Sequence, residues 1–316
     1  MRIRTPEAAE QDRHAWAALA WAGRIGPAGF MRLLARFGSA DAVLQAPESE
    51  LSAPSLRLKP QQIQAITTDA RERRDSIEEE FVALGDAGIE VICGFEDAYP
   101  APLRDARTPP PVICVRGTLR PEDMRGLAIV GTREPTDDGC RVAIDVAVAC
   151  ARHGLTVVSG LAIGIDTCAH RGALKGGGRT VAVLGSGIRT VHPQSNRRLA
   201  TRIASKGAII SELPPDARPN AARLMARNRL TAALSRGVLA VESTPTGGTL
   251  RTAYEAWKQG RIVFACDWQS DRPQAQGTRQ LIAEGAEPIL GAGAIETVVH
   301  LLETHRPPPP EQHSLL

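Results

Sequence analysis

Arg223, Arg227, Arg229 and Arg236 fall in RLMARNRLTAALSRG (223–237) with no Asp or Glu among them. Guanidinium groups keep their charge and present a planar fork that fits phosphate or carboxylate. At about 100° per residue of helix, Arg223 and Arg227 share a side with Leu230 and Leu234. One helix face therefore turns from cationic to apolar along its length, which predicts Arg223 and Arg227 at a ligand edge and the leucines in the core. Arg229 and Arg236, seven apart, share another flank. The chemistry on offer is capture of an anion.

Small residues recur wherever a β-branched run ends. These places read Gly131-Thr132-Arg133, Ser159-Gly160-Leu161-Ala162, Gly185-Ser186-Gly187 and Thr246-Gly247-Gly248-Thr249. Glycine there lets backbone amides approach a ligand, and each following helix offers its positive N-terminal pole, so phosphate is the expected guest. The usual nucleotide fingerprints are absent: no G-x-x-x-x-G-K-[ST] and no G-x-G-x-x-G opening a helix occurs, which argues against an ATPase or an ordinary NAD enzyme. No G-x-S-x-G elbow or H-E-x-x-H helix appears either. His170, four residues after Asp166, reads as half of a pair on a helix surface, and Glu255 is the one candidate acid or base on the helix opened by Gly247-Gly248-Thr249. The six cysteines show no C-x-x-C and no nearby His pair, so reduced, partly buried thiols are expected, with no metal site and no disulfide framework.

The elements that must hold these residues fall into two kinds. Up to about residue 80, WAALAW (16–21), GFMRLLARFG (29–38) and the stretch 61–88 carry apolar residues at helical spacing. The turn Gly23-Arg24-Ile25-Gly26-Pro27 fits either a phosphate-holding helix-hairpin-helix or a plain bundle turn. From Ile89 the pattern becomes short apolar strands alternating with single helices, with strands expected at 89–93, 112–117, 127–131, 156–160, 180–185, 208–212, 238–242 and 262–266. That is the signature of an α/β, doubly wound, mostly parallel sheet covered on both faces. Such a sheet binds ligands beyond the carboxyl ends of its strands, where the small residues lie. The expected division is a small all-helical domain at 1–80, the sheet domain at 81–305 and a Pro-rich tail at 306–316.

The whole chain is close to neutral, 38 Lys and Arg against 35 Asp and Glu, so any surface for a polyanion must be local. No apolar leader and no run of about 18 apolar residues occurs, so a cytoplasmic protein with no membrane partner is expected.

The motif series SGLAIGIDTCAHRGAL, HPQSN (192–196), SELPP (211–215), ARNRLTAALS (226–235), GGTLRTAYEA (247–256) and GTRQLIAEGA (277–286) resembles the DprA/Smf family of DNA-processing proteins, in order, from about Tyr99 to Ala286. The resemblance implies a Rossmann-like domain behind a SAM-like helical one. It also implies a homodimer that binds single-stranded DNA without sequence preference and hands it to the RecA recombinase in natural transformation. A binder is implied and not an enzyme, and no cofactor. The family's G-[ST]-R falls on Gly131, Thr132 and Arg133, its S-G-x-A on Ser159, Gly160 and Ala162, and the asparagine of Y-P-x-x-N on Asn196. Its R-N-R falls on Arg227, Asn228 and Arg229, and its Gly-rich turn on Gly247, Gly248 and Thr249. With Arg223 from the helix reading, these make the expected DNA-binding set, in which Arg133, Arg227 and Arg229 neutralise phosphates.

The chain departs from the family in three places. Leu224 and Met225 stand where the family has Phe-Pro, and a stacking aromatic is worth about 1–3 kcal/mol per base. Cys266-Asp267-Trp268 replaces Val-Pro-Gly, which makes Trp268 the nominee for a substitute ring. Many members continue into a winged-helix domain, where this chain has the tail 306–316. The alternative reading compares Thr246-Gly247-Gly248-Thr249 and Glu255 with the loop of Rossmann-like nucleotide phosphoribohydrolases, in which an Arg and Glu255 act on a nucleoside monophosphate. A nucleotide-binding module without catalysis is a third reading.

Overall fold

The computed structural model describes residues 6–22, 25–289 and 291–305. Gly23 and Arg24 of the helix-hairpin-helix turn, and the tail from Arg306, lie outside the described residues. Two compact units are present. One takes the chain up to Tyr99 with 107–114 and 212–214, and the other takes 100–106, 115–211 and the chain from Pro215.

The first unit is mainly helical: α1 (Pro6–Trp21), α2 (Pro27–Phe37), α3 (Ala40–Gln45), α4 (Glu48–Leu51), α5 (Pro60–Gln64) and α6 (Arg71–Asp86), the last two joined by a π-helical stretch at Ala65–Ala70. Pro27 opens α2 at the position where a missing N–H costs nothing, and Gly38 closes it in the left-handed conformation. Leu19, Phe30, Leu33, Leu51 and Ile66 are fully buried in its core. Strand β1 (Ile89–Cys93) follows. Much of the chain's scarce aromatic content is spent here, Trp16 packing edge-on against Phe30 and Phe95, and Trp21 and His14 against Phe81.

A short helix α7 (Ala101–Arg104) precedes β2 (Val112–Gly117). The second unit is then built on β3 (Leu127–Val130), β4 (Val157–Ser159), β5 (Thr180–Val183), β6 (Ala208–Ser211), β7 (Gly237–Ala240), β8 (Ile262–Cys266) and β9 (Glu287–Ile289). Their order is β6-β5-β4-β3-β7-β8-β9 and every pairing among them is parallel. The helices are α8 (Asp137–Arg152), α9 (Ile165–Lys175), α10 (Arg197–Lys206), α11 (Ala221–Ala226), α12 (Asn228–Ala233), α13 (Gly248–Lys258), α14 (Pro273–Ala283) and α15 (Ile295–Thr304). Strands β3 to β8 are apolar and almost wholly buried because helices cover both faces, which is why they read as continuous hydrophobic runs. The expected strands appear within two residues of their places. Strand β9 was not anticipated: three residues long, exposed at Glu287 and interrupted by Pro288, it carries no β pattern and survives only as an edge.

The chain winds from β3 through β4 and β5 to β6 on one side, then crosses back to place β7 on the other side of β3. Loops after β3 and β7 thus part in opposite directions, leaving a crevice at the point where the winding reverses. The expected single helix over 223–237 is instead α11 and α12, with Arg227 at the break. Leu230 and Leu234 are buried as expected.

Two cysteines correct the expectation of free thiols. Cys140 of α8 and Cys168 of α9 form a disulfide across the two packed helices, Cα to Cα 5.7 Å, while Cys93, Cys114, Cys150 and Cys266 are buried and outside any disulfide. Cysteines 28 residues apart carry no spacing signature, and only the packing of α8 on α9 brings them together.

Candidate functional site

A cleft of about 690 Å³ opens at this reversal point. One wall is Gly131-Thr132-Arg133, which follows β3, and a second is α11 with Arg227 and Asn228. The third is Gly247-Gly248-Thr249, where α13 begins. Gly247 at the head of α13 makes no side-chain cap, so the first-turn amides rely on an outside acceptor, and the helix pole favours a negative one. Arg133 is exposed at the cleft and forms no hydrogen bond or ion pair with any described residue. Asn228 donates from Nδ2 to the Gly248 carbonyl at 3.3 Å, tying the second wall to the third.

Arg227 is a different kind of arginine. It is only 6% exposed, donating from Nη2 to the Gly160 carbonyl at 3.2 Å and from Nη1 to Thr231 Oγ1 at 3.3 Å, while Nε has no partner. Asp166 of α9, equally buried, accepts from the Gly160 amide at 3.1 Å and the Ala162 amide at 3.3 Å. Burial raises the Asp166 carboxyl above the ordinary carboxylate range although the Arg227 charge pulls it down. Burial likewise lowers Arg227, with Asp166 opposing and Arg133 adding to the effect. Arg227 and Asp166 thus act on each other electrostatically at the cleft floor with no ion pair or hydrogen bond between them, and Arg133 above them is the exposed cation.

Glycine has a meaning here that differs from the one expected. A Cβ on Gly160 would lie 1.7 Å from Arg227 Nη1, one on Gly131 2.5 Å from Ile165 Cγ1, and one on Gly185 2.7 Å from the Leu224 Cα. These strand-end glycines admit other parts of the protein, not a ligand. Gly248, whose nearest neighbour would be Met225 Sδ at 3.6 Å, is the one with room on its cleft side.

His170 does not form the expected surface pair with Asp166. It is fully buried, its Nδ1 2.7 Å from Thr180 Oγ1, and that hydroxyl donates to the Val157 carbonyl at 2.7 Å. The hydroxyl proton being engaged, His170 must donate from Nδ1, and the bare Nε2 has no partner. Burial, reinforced by the Arg227 charge, pushes its pKa down to about 3. The unfolded chain takes up this proton near pH 6.5 and the folded one does not, so stability is full above pH 6.5 and falls as pH drops toward 3, by about 1.4 kcal/mol per unit. Denaturant titrations of the wild type and His170→Gln between pH 7 and pH 4 should show this slope flattened in the variant.

The family model for DNA recombination-mediator protein A matches residues 90–300, and one for the DprA-like N-terminal HHH domain matches 10–67. The chain belongs to the DNA recombination-mediator protein A family. It is 35% identical over 251 residues to DNA processing protein DprA of Bacillus subtilis, covering 76% of this chain and 84% of that one. It is 43% identical over 196 residues to Protein Smf of Synechocystis, of which the match spans 49%, and of this chain 61%. The crystal structure of DNA processing protein A from Streptococcus pneumoniae superposes with a TM-score of 0.75 at 25% identity, covering 94% of this chain and 98% of that one. DNA processing protein A from Helicobacter pylori, whose structure describes a unique single-stranded DNA binding mode, superposes at 0.60 with 26% identity, covering 69% and 97%. The parallel sheet and the helical N-terminal domain are therefore family features.

Of the expected set, the cleft gathers Gly131, Thr132, Arg133, Arg227, Asn228, Gly247, Gly248 and Thr249. Ser159 and Gly160 lie behind it, Ser159 donating to the Ile129 carbonyl at 2.7 Å. Asn196 is buried and bonds Leu161 O at 2.9 Å and Thr167 Oγ1 at 2.8 Å, so it fixes a loop. Arg223 turns away to the Arg218 carbonyl at 2.6 Å, and Arg229 does not line the cleft. Trp268 is no platform either: its Nε1 donates to the Val241 carbonyl at 2.6 Å and the Arg272 guanidinium covers its face, 4.4 Å from the ring centre. Asp166 and His192, both at the cleft, were missed. Asp166 left a signal, an acid closing the Gly-rich run SGLAIGID, whereas His192 left none beyond its place in HPQSN.

Proposed function

We propose that the cleft holds the sugar–phosphate backbone of single-stranded DNA, without sequence preference and without turnover, and that the chain delivers the strand to a RecA recombinase in natural transformation. In this reading the protein works as a homodimer in the cytoplasm, and the residues of the site are Arg133, Asn228 and the amides at Gly248 and Thr249, with Arg227 and Asp166 as its floor. The observation that carries it is Arg133, exposed and without a hydrogen-bond or ion-pair partner among the described residues, lining the same cleft as the uncapped start of α13. Membership of the family and the Helicobacter pylori relative's single-stranded DNA binding mode support it. The phosphoribohydrolase alternative loses ground because Glu255 lies outside the cleft, with Oε1 3.0 Å from Lys258 Nζ.

Arg133→Ala tests the reading without disturbing the fold, since Arg133 holds nothing else in place. Fluorescence anisotropy with oligo-dT over a salt series should show weaker binding and a log–log slope shallower by about 0.7, the value of one phosphate contact on a single strand. Unchanged affinity and slope would remove the cleft from the DNA path.

A further inference from the structure

The chain is nearly balanced in charge, yet its acids and bases are unevenly placed. Between Thr167 and Ser211 there is no Asp or Glu, while Arg and Lys recur throughout. The densest part is α10, where Arg197, Arg198, Arg202 and Lys206 are all exposed, and none forms an ion pair with any described residue. Arg198, Arg202 and Lys206 are spaced four apart and so line one side of the helix. The opposite side is Leu199, Ala200 and Ile203, all buried, which anchors the helix with its cations outward. Helix α9 adds two exposed bases at the same spacing, Arg171 and Lys175.

This face is continuous with the cleft. His192, two loop residues before the turn that starts α10, lines the cleft and is exposed. Asn196, immediately before α10, is bonded through Nδ2 to the Leu161 carbonyl, so the start of the helix is held to the loop that carries Ala162 into the cleft wall. No Phe, Tyr or Trp lines the cleft, and the imidazole of His192 is the aromatic ring at its edge.

From this continuity we infer that single-stranded DNA leaves the cleft past His192 and runs along α10, its phosphates neutralised by Arg198, Arg202 and Lys206. The inference rests on the cleft being a DNA site and adds a second, purely electrostatic segment to it. From Arg198 to Lys206 the helix rises about 12 Å, a length over which a strand stacked as in a duplex presents about three phosphates. Cations without acidic neighbours suit a polyanion, because each contact releases a condensed counterion and none has first to break an internal ion pair.

Oligo length separates the two segments. Binding of the full chain to oligo-dT of about 4 and about 16 nucleotides, the limits of common single-strand site sizes, should be measured for Arg198→Glu/Arg202→Glu/Lys206→Glu and for Arg133→Ala. The triple variant should bind the short oligonucleotide as the wild type does. For the long one it should lose about tenfold in affinity, with a slope shallower by about 2, three contacts' worth. The neutral variant Arg198→Gln/Arg202→Gln/Lys206→Gln should give the same slope change with a smaller loss. Equal losses at both lengths, or none at either, would overturn the α10 path. Arg133→Ala should weaken both lengths; if it weakens neither, the cleft reading itself fails, whatever α10 does.

Discussion

Arg227→Ala is expected to destabilise the sheet unit by about 1–3 kcal/mol, because it strips partners from the buried Gly160 carbonyl and Thr231 hydroxyl and removes the countercharge near Asp166. Removing the guanidinium leaves Asp166, largely buried at the cleft floor, with its backbone amides and no nearby countercharge. A surface arginine would cost a few tenths of a kcal/mol at most, so the size of the effect reports burial. The pH dependence identifies the cause. Without Arg227 the Asp166 carboxyl rises further above its unfolded value of about 3.9. The fold then favours the protonated acid, and the penalty grows as pH rises above that value and shrinks as pH falls. Chemical denaturation at pH 7 and pH 5 should therefore show a smaller deficit at the lower pH. Arg227→Met combined with Asp166→Asn should be more stable than Arg227→Ala alone, because no uncompensated charge remains. A deficit below about 1 kcal/mol would show that the pair does not hold the floor of the cleft.

Gly160→Ala should be nearly as damaging, although it adds one methyl group. Its Cβ would sit 1.7 Å from Arg227 Nη1, and the guanidinium cannot retreat without giving up both the Gly160 carbonyl and the company of Asp166. Overpacking of this kind costs about 1–3 kcal/mol by itself, and displacing the cation adds part of the penalty described above. The two substitutions should couple. In an Arg227→Ala background the methyl group meets empty space, so Gly160→Ala should cost little there, with a coupling energy at the upper end of the 0.5–3 kcal/mol range seen for contacting residues. Additive costs in a denaturation-based double-mutant cycle would mean that Gly160 serves some other purpose.

Both predictions revise the picture of Arg227 as a phosphate ligand equivalent to Arg133. From sequence, the two look alike as arginines of the same edge, and the acid next to one of them is Glu134, beside Arg133, while Arg227 has none adjacent. Asp166 lies far from Arg227 along the chain, and the crossover from β6 to β7 over β4 brings them together. Loss of DNA binding in an Arg227 variant therefore mixes affinity with folding, while Arg133 reports affinity alone.

How much was legible follows the range of the forces involved. Strands β3 to β8 were visible because each is buried on both faces and so is mostly apolar, with Ser or Thr at the ends of three of them, and the helices because one side of each must meet that sheet. Strand β9 was not, since an exposed three-residue edge containing proline needs no pattern. The small residues at strand ends were read as ligand-facing, and at three of them the structure shows a packing role instead. Glycine reports that something comes close, and only geometry says that at Gly131, Gly160 and Gly185 the something is Ile165, Arg227 and Leu224. The stacking ring was sought at Trp268 because aromatics are few, but that ring is held under Arg272.

The sequence by itself determined the fold class and the family, and it nominated one edge of the sheet as the candidate site. Those properties are set by local pattern: apolar periodicity, turn residues, and the types of side chain that follow each strand. Which arginine is exposed and which is buried among partners, which glycines serve packing, and which helix cations are exposed without an ion pair among the described residues were decided by the tertiary structure alone. They depend on burial and on partners distant along the chain, and a charge alters its meaning with both.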